Sequence, residues 1–471
     1  MDARTALRQF VDSLTSAPEF RSMHWGVLVV DPGRGETLYS RNADKLFMPA
    51  SNQKIITGAT ALALLGPEHR FPTVLLARGL VRNGVLEGDL LVRGTGSPAV
   101  STSMLGADVL APLRALGDSL RSKGITKVRG RVLAAPSPFT DSPLGFGWSW
   151  DDLDAPYSAG VDALFFNEGF TQIVVHAGAA PGDPVRASTR PATTYPPLIV
   201  RARTVARAVA GAPAADSIAA LPAITVGYDS SRTGVLVSGT IAVGDSTVEE
   251  LAFRDQSAAY VAALDEALRA SGITIEGART DSTARLDSIA TMASPTLREI
   301  LPFFEKPSQN QIGEILYKTL GLVKTGVGTA DSARAVVQRQ LLEWGAPADG
   351  FAVRDGSGLS RHDYLSPRTL VTVLDVMRRA PDFRLFYDAL PVAGVDGTIR
   401  NRMKGTPAEG NVHAKTGTLD KARSLSGYVT TADGRMLLFS ALANNYTVPT
   451  RRVDQVSDAL AVRLASMRLD P

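Results

Sequence analysis

The chain has 471 residues, 44% hydrophobic and 21% charged, with a formal net charge of +3. This is ordinary globular composition, long enough for two or three domains. So small a charge, with no dense Lys/Arg run interleaved with aromatics, argues against a nucleic-acid groove. The absence of cysteine excludes disulfides, thiolate metal sites and a cysteine nucleophile.

The five histidines, His24, His69, His176, His362 and His413, are scattered and show no metal-ligand spacing, so no metal is expected. There is no phosphate-binding Gly-x-x-x-x-Gly-Lys-Ser/Thr loop and no Gly-x-Ser-x-Gly elbow. No uninterrupted apolar stretch approaches the roughly 18 residues that span a bilayer. Met1-Asp2-Ala3-Arg4 lacks a signal-peptide core, which fits either a cytosolic protein or a mature chain with its leader removed.

In chain order, Trp25 to Asp31 and Glu36 to Ser40 read as a β-hairpin around the turn Pro32-Gly33-Arg34-Gly35. Next comes Ser51-Asn52-Gln53-Lys54, a Ser-x-x-Lys opening the largely apolar run Ile55 to Leu65 that stops at Gly66-Pro67. This reads as one buried helix with serine and lysine on the same face of its first turn. Lysine is scarce, ten of the fifty basic residues, and is disfavoured at the positive end of a helix dipole. Its placement makes sense if the amine is neutral and takes the proton of the serine hydroxyl. The bland alternative is a serine cap beside a solvated lysine.

Beyond Phe71 the texture changes to short β-like runs punctuated by glycine, persisting to about Met292. Two helix-then-strand units sit inside it. One carries Leu110, Leu113, Leu116 and Leu120 on a face and ends at Lys123-Gly124-Ile125-Thr126; the other carries Val261, Leu264 and Leu268 and ends at Ser271-Gly272-Ile273-Thr274. Each glycine fits the left-handed position past a helix end. Ala179-Ala180-Pro181-Gly182-Asp183-Pro184 reads as a surface turn.

Helical texture resumes at Ser294. Ser308-Gln309-Asn310 enters a helix with Ile312, Ile315, Leu316 and Leu320 on one face; its bland alternative is a capping box between Ser308 and Gln311. Ala333 to Trp344 continues in the same style. Lys415-Thr416-Gly417-Thr418 stands where an edge strand begins, a backbone able to pair with an extended peptide. Leu425 to Thr431 and Met436 to Ala443 read as a hairpin about Ala432-Asp433-Gly434-Arg435, and Arg452 to Met467 as a closing helix. Decoys of the second and third motifs, Ser40-Arg41-Asn42 and Lys324-Thr325-Gly326, lie in a strand end and an interhelical loop.

Singly each motif is weak; their order and their fit to one reaction make the set specific. Ser-x-x-Lys, Ser-x-Asn and Lys-Thr-Gly are elements of penicillin-binding proteins and serine β-lactamases. Pro49-Ala50-Ser51-Asn52-Gln53-Lys54, Gly88-Asp89-Leu90, Asp355-Gly356-Ser357-Gly358-Leu359-Ser360-Arg361 and Gly394-Val395-Asp396-Gly397-Thr398 narrow the match. From about Trp25 to Asn445 the chain resembles the class C low-molecular-mass penicillin-binding proteins, the D-Ala-D-Ala carboxypeptidase/endopeptidase family of the serine penicillin-recognising superfamily. Two departures are Ser97 in Gly94-Thr95-Gly96-Ser97-Pro98, where relatives often carry Asp, and Gln309, longer than the Asp or Asn expected there.

The resemblance implies an α+β fold: a DD-peptidase/β-lactamase-like domain, with an antiparallel sheet flanked by helices, interrupted by inserted β-rich domains. The expected boundaries are 1–71 and 294–471 for the peptidase domain, 72–98 and 171–293 for a second domain, and 99–170 for a third. The long stretch between Ser51 and Ser308 suits such insertions. It further implies Ser51 as nucleophile, Lys54 as base, and Ser308 relaying a proton to the leaving amine. Asn310 would orient Lys54 and the substrate amide, and Lys415 would face the terminal carboxylate. Thr416, Gly417 and Thr418 would bind substrate, and the amides of Ser51 and Thr418 would form the oxyanion hole.

Bringing a lysine from about 10.4 to near 7 costs roughly 4 to 5 kcal/mol, which burial, the helix end and Lys415 together can supply. Trp148-Ser149-Trp150-Asp151-Asp152 resembles a substrate-binding segment, with Asp151 or Asp152 facing a cationic stem side chain; the alternative is a loop packed by its two tryptophans. No cofactor is implied. The implied partners are peptidoglycan stem peptides and, as covalent inhibitors, β-lactams, in a periplasmic or extracytoplasmic setting. Rival readings are a β-lactamase and a non-catalytic peptidoglycan-binding protein of the same fold.

Overall fold

The computed structural model describes residues 2–207, 223–231, 234–280 and 285–469. The chain divides into two compact units, one of Met1–Arg70, Pro138–Trp148 and Pro295–Pro471, the other of Phe71–Ser137 and Ser149–Ser294.

The first unit opens with helix α1 (Ala3–Thr15), strands β1 (His24–Asp31) and β2 (Glu36–Arg41), and helix α2 (Gln53–Leu65). It resumes with α3 (Leu297–Glu305), α4 (Asn310–Thr325), α5 (Ala330–Glu343), α6 (Pro367–Arg379) and α7 (Phe383–Ala389). Strands β3 (His413–Leu419), β4 (Ala422–Thr430) and β5 (Met436–Asn444) and helix α8 (Thr450–Ser466) complete it. Among the described residues these strands make one antiparallel sheet in the order β2-β1-β5-β4-β3. The most apolar strand, β5, is central and buried along nearly its whole length, as a strand covered on both faces must be. On one face Leu7 and Val11 of α1 and Leu460, Ala461 and Leu464 of α8 join Val27, Leu425 and Phe439 in a single core. On the other, α6 packs on β1 and β5.

That arrangement leaves β3 at an edge, as its sequence suggests, and sets α2 against α3, α4 and α6. From Gln53 to Leu62 every residue of α2 is buried, the pattern of a helix enclosed on all sides. Gly66, at φ 84°, ends it.

In the second unit the two helix-then-strand segments lie side by side. Helices Ala111–Ser122 and Gln256–Ala270 pack together, with Gly117 against Ser271 so closely that a Cβ would come within 2.6 Å of its side chain. Gly124 (φ 75°) and Gly272 (φ 80°) end them in the left-handed conformation expected. The following strands, Lys127–Val128 and Thr274–Ile275, pair in parallel.

The apolar cores divide this unit differently from the expected boundaries at 98/99 and 170/171. Leu75 to Val92, Val100 to Val132 and Phe253 to Met292 share one core, because the paired helices bring distant segments together. A second core, from Ile173 to Leu251, lies between the strands Phe170–His176, Arg186–Arg190, Val235–Ala242 and Ser246–Ala252 and their neighbours.

Pro138–Trp148, expected within the insertion, groups instead with the first unit. Asp141 accepts from Lys318 Nζ (2.6 Å) and from the Ala330 amide (2.7 Å) at the start of α5, and the Trp148 indole donates to Asp355 (2.9 Å). Among the described residues no helix is long and apolar enough to cross a membrane.

Candidate active site

Ser51 lies in a 3-10 turn, Ala50–Asn52, that runs directly into α2. It is not a helix cap: neither that turn nor α2 has a side-chain cap. The turn is strained, with buried Ala50 at φ 48°, a conformation that costs a non-glycine residue of order 1 kcal/mol and persists only where surroundings enforce it. Three contacts do so. Asn52 Nδ2 donates to the Lys415 carbonyl (2.8 Å), Ser424 Oγ donates to the Pro49 carbonyl (2.7 Å), and Gly358 sits where a Cβ would come within 1.9 Å of the Ala50 carbonyl oxygen. Gly417 permits the closest approach of β3: a Cβ there would meet Ser424 Oγ at 2.1 Å, the Pro49 carbonyl at 2.5 Å and the Ser51 amide nitrogen at 3.0 Å.

Lys54, fully buried, places Nζ 3.0 Å from Ser51 Oγ, 2.6 Å from Asn310 Oδ1 and 2.7 Å from the Ser357 carbonyl oxygen. A neutral amine has two N–H bonds and one lone pair. The two carbonyl-type oxygens can only accept and so occupy both N–H groups, which leaves the lone pair for the Ser51 hydroxyl. Burial, then the charge of Lys415, draws the Lys54 pKa down to about 7 against the opposing pull of Glu305, Asp355 and Glu314.

Ser308 also occupies the left-handed region, φ 65°. Its amide donates to the Glu305 carbonyl (3.2 Å) and the Gln309 amide to the Phe304 carbonyl (3.0 Å), folding the chain back at the end of α3. The capping-box alternative for Ser308 is overturned. Gln309 is the cap of α4: its Oε1 accepts from the Ile312 amide (2.9 Å), and its Nε2 donates to Gln311 Oε1 (2.9 Å). The extra length of glutamine therefore serves the helix start, and the Ser308 hydroxyl is left to accept from Lys415 Nζ (2.8 Å). Asn310, the first residue of α4, turns its side chain to Lys54.

Lys415 is fully buried on β3, opposite Ser426 of β4, and its amine also donates to the Thr416 carbonyl (3.2 Å). Burial lowers its pKa to about 8, with Glu305 opposing. Thr416 Oγ1 lies 2.7 Å from Thr398 Oγ1, and Thr418 Oγ1 accepts from Arg423. The decoy Lys324-Thr325-Gly326 merely ends α4, with Gly326 as its left-handed cap.

The motif residues thus meet within the first unit, while Asp151 and Asp152 belong to the second. They lie in a 3-10 turn, Trp150–Asp152, where Asp152 accepts from the Tyr157 hydroxyl (2.6 Å). Trp150 is 84% exposed, so two packed tryptophans do not hold this loop.

Several residues that matter here carried no assigned role in the sequence. Glu314, buried on α4, accepts from the amides of Gly356 (3.0 Å) and Ser357 (2.7 Å), and so fixes the loop whose carbonyl holds Lys54. Asp355 braces that loop by accepting from the amides of Gly358 and Ser360 (both 2.7 Å). Glu305 lies fully buried at the end of α3. The glycine-rich run at 355–361 was a visible signal; the two glutamates, inside helices of ordinary amphipathic texture, gave none.

Residues 7–467 match the model of the D-Ala-D-Ala carboxypeptidase 3 (S13) family. A D-alanyl-D-alanine carboxypeptidase of Actinomadura sp. (strain R39) is 34% identical over 98% of this chain and 85% of its own length. The D-alanyl-D-alanine carboxypeptidase DacB of Haemophilus influenzae is 28% identical over 90% of this chain and 85% of its own. The crystal structure of penicillin binding protein 4 from Haemophilus influenzae superposes with a TM-score of 0.79 at 25% identity, over 97% of this chain and 99% of that one. With the family model spanning nearly the whole length, the chain belongs to the D-Ala-D-Ala carboxypeptidase 3 (S13) family of serine peptidases.

Proposed function

We propose that this protein is a serine DD-peptidase that cleaves the terminal D-Ala-D-Ala bond of peptidoglycan stem peptides, and D-Ala-diamino-acid cross-links, through a Ser51 acyl-enzyme that β-lactams also form. Such a substrate puts its site of action outside the cytoplasmic membrane. One observation carries the reading: a buried amine, Lys54, whose N–H groups are directed to Asn310 and Ser357, stands 3.0 Å from the Ser51 hydroxyl.

In the reaction Lys54 takes the hydroxyl proton as Ser51 Oγ bonds to the substrate carbonyl carbon. The amides of Ser51 and Thr418 face the developing oxyanion, an interaction worth about 3 to 4 kcal/mol per donor. An extended stem peptide pairs with the free edge of β3 along Thr416, Gly417 and Thr418, its terminal carboxylate drawn by Lys415. The C–N bond then breaks. Ser308 gives its proton to the departing amine and is reprotonated from the lysines, so the proton taken from Ser51 leaves on D-alanine. Neutral Lys54 next activates water, which breaks the ester and restores Ser51.

Asp151 or Asp152 receives a cationic stem side chain. Unchanged cleavage of such stems after both are replaced by Asn would remove that part of the reading. The whole is tested by D-alanine release from a D-Ala-D-Ala-terminated stem peptide, alongside nitrocefin turnover. Release by wild type and none by Ser51→Ala, with slow nitrocefin turnover, is expected. Rapid nitrocefin hydrolysis without release would make it a β-lactamase, and neither activity would make it a binding protein.

A further inference from the structure

Glu305 is a buried acid that the reaction above does not use. Its side chain is fully enclosed, and neither carboxylate oxygen has a hydrogen-bond partner among the described residues. A group so placed is strongly disfavoured if charged and unpaired, so its presence calls for a reason. The surroundings supply one. Gly58, one helical turn beyond Lys54 on α2, leaves the space Glu305 fills: a Cβ there would lie 2.6 Å from Glu305 Oε1. The Glu305 carbonyl accepts from the Ser308 amide (3.2 Å), and Ser308 in turn holds Lys415. The Glu305 backbone therefore starts the turn that carries Ser308, while its carboxylate lies against Gly58 on the helix that bears Lys54. The charged groups with which it interacts electrostatically are Lys415 from β3 and Lys54 from α2. Lys54 additionally faces Asp355 and Glu314. The neighbouring Lys306 is engaged elsewhere, with its amine on Asp396 (2.6 Å) and the Leu390 carbonyl (3.1 Å).

We propose that Glu305 is a positioning residue whose buried carboxylate is the counter-charge of the catalytic cleft, letting Lys415 stay cationic while Lys54 is neutral. With Glu305 ionised, that protonation state carries no net charge across the three groups. Without it, the Lys415 charge loses the anion that favours it in the interior, and charges on both lysines together are disfavoured further. Burial raises the Glu305 pKa to about 7 while both lysines pull it down, so the three groups titrate as one system across neutral pH.

The inference rests on the acyl-transfer reading, and its test is the pH profile of Ser51 acylation by benzylpenicillin. Removing the carboxylate takes away an anion that favours the charged form of both lysines. Glu305→Gln is therefore expected to move both limbs of the profile to lower pH together, by about one unit. Glu305→Asp, which keeps the charge but withdraws it from the amines, should move both limbs less and in the same direction. A space-filling role would lower the rate at every pH and leave the limbs in place. That result in Glu305→Gln, or in Glu305→Asp should the first variant not fold, overturns the proposal. Absence of acylation in wild type at every pH is a separate outcome, which overturns the acyl-transfer reading itself.

Discussion

At the residue scale the proposed chemistry turns on a lysine held uncharged. Lys54, drawn to about 7, is neutral above that pH and protonated below it, and only the neutral form can accept the Ser51 proton. Lys415, at about 8, is cationic below that pH and loses its hold on a carboxylate above it. Acylation by benzylpenicillin should therefore rise to a maximum between about 7 and 8, falling about tenfold per unit on the acid side. Lys54→Met should lower the rate at least ~100-fold at the maximum. Asn310→Asp puts a carboxylate where the Lys54 amine now meets an amide oxygen at 2.6 Å. It should raise the lysine's proton affinity and move the acid limb upward by about one unit or more. A stopped-flow profile checks all three, and an unmoved limb in Asn310→Asp contradicts the role given to Lys54. Lys54 was legible in the sequence because a lysine in the first turn of an apolar helix conflicts with the helix dipole. Glu305 and Glu314 were not, because their significance lies in partners on other elements.

At the element scale the site depends on β3 lying tight against the turn that carries Ser51. Gly417→Ala sets a methyl carbon 2.1 Å from Ser424 Oγ and 2.5 Å from the Pro49 carbonyl, and neither the turn nor the strand can give way cheaply. A stability loss of about 1 to 3 kcal/mol is expected, with acylation slowed more than folding alone accounts for, as thermal melts and labelling on the same sample would show. Gln309→Ala removes the cap of α4 and should cost about 1 kcal/mol. Because that cap also fixes the turn bearing Ser308, catalysis should fall with it. The hairpin of β1 and β2, helix α2 and the edge strand β3 followed from apolar periodicity and turn residues. The cap of α4 did not, because Ser308 and Gln309 fit the same local pattern and only the left-handed backbone at Ser308 decides between them.

At the scale of the whole molecule, the change of texture near Phe71 and Ser294 lies close to the bounds Arg70 and Pro295 of the first compact unit. The return of Pro138–Trp148 to that unit was hidden, since it is fixed by Asp141 pairing with Lys318 and by Trp148 meeting Asp355, side chains far apart in sequence. Lys318→Met should loosen this segment at a cost of about 1 to 3 kcal/mol; limited proteolysis within residues 138–148 and a lowered melting temperature would register it. The insertion's internal division was equally hidden, because two similar helices 145 or so positions apart, about the reach of a whole domain, pack into one core. The central proposal is that the alcohol of Ser51, on the 3-10 turn leading into α2, becomes the nucleophile. The most direct measurement is mass spectrometry of the protein after incubation with benzylpenicillin and digestion. One penicilloyl adduct is expected, on the peptide containing Ser51 and lost in Ser51→Ala; an adduct on any other residue, or none, would contradict a nucleophilic Ser51.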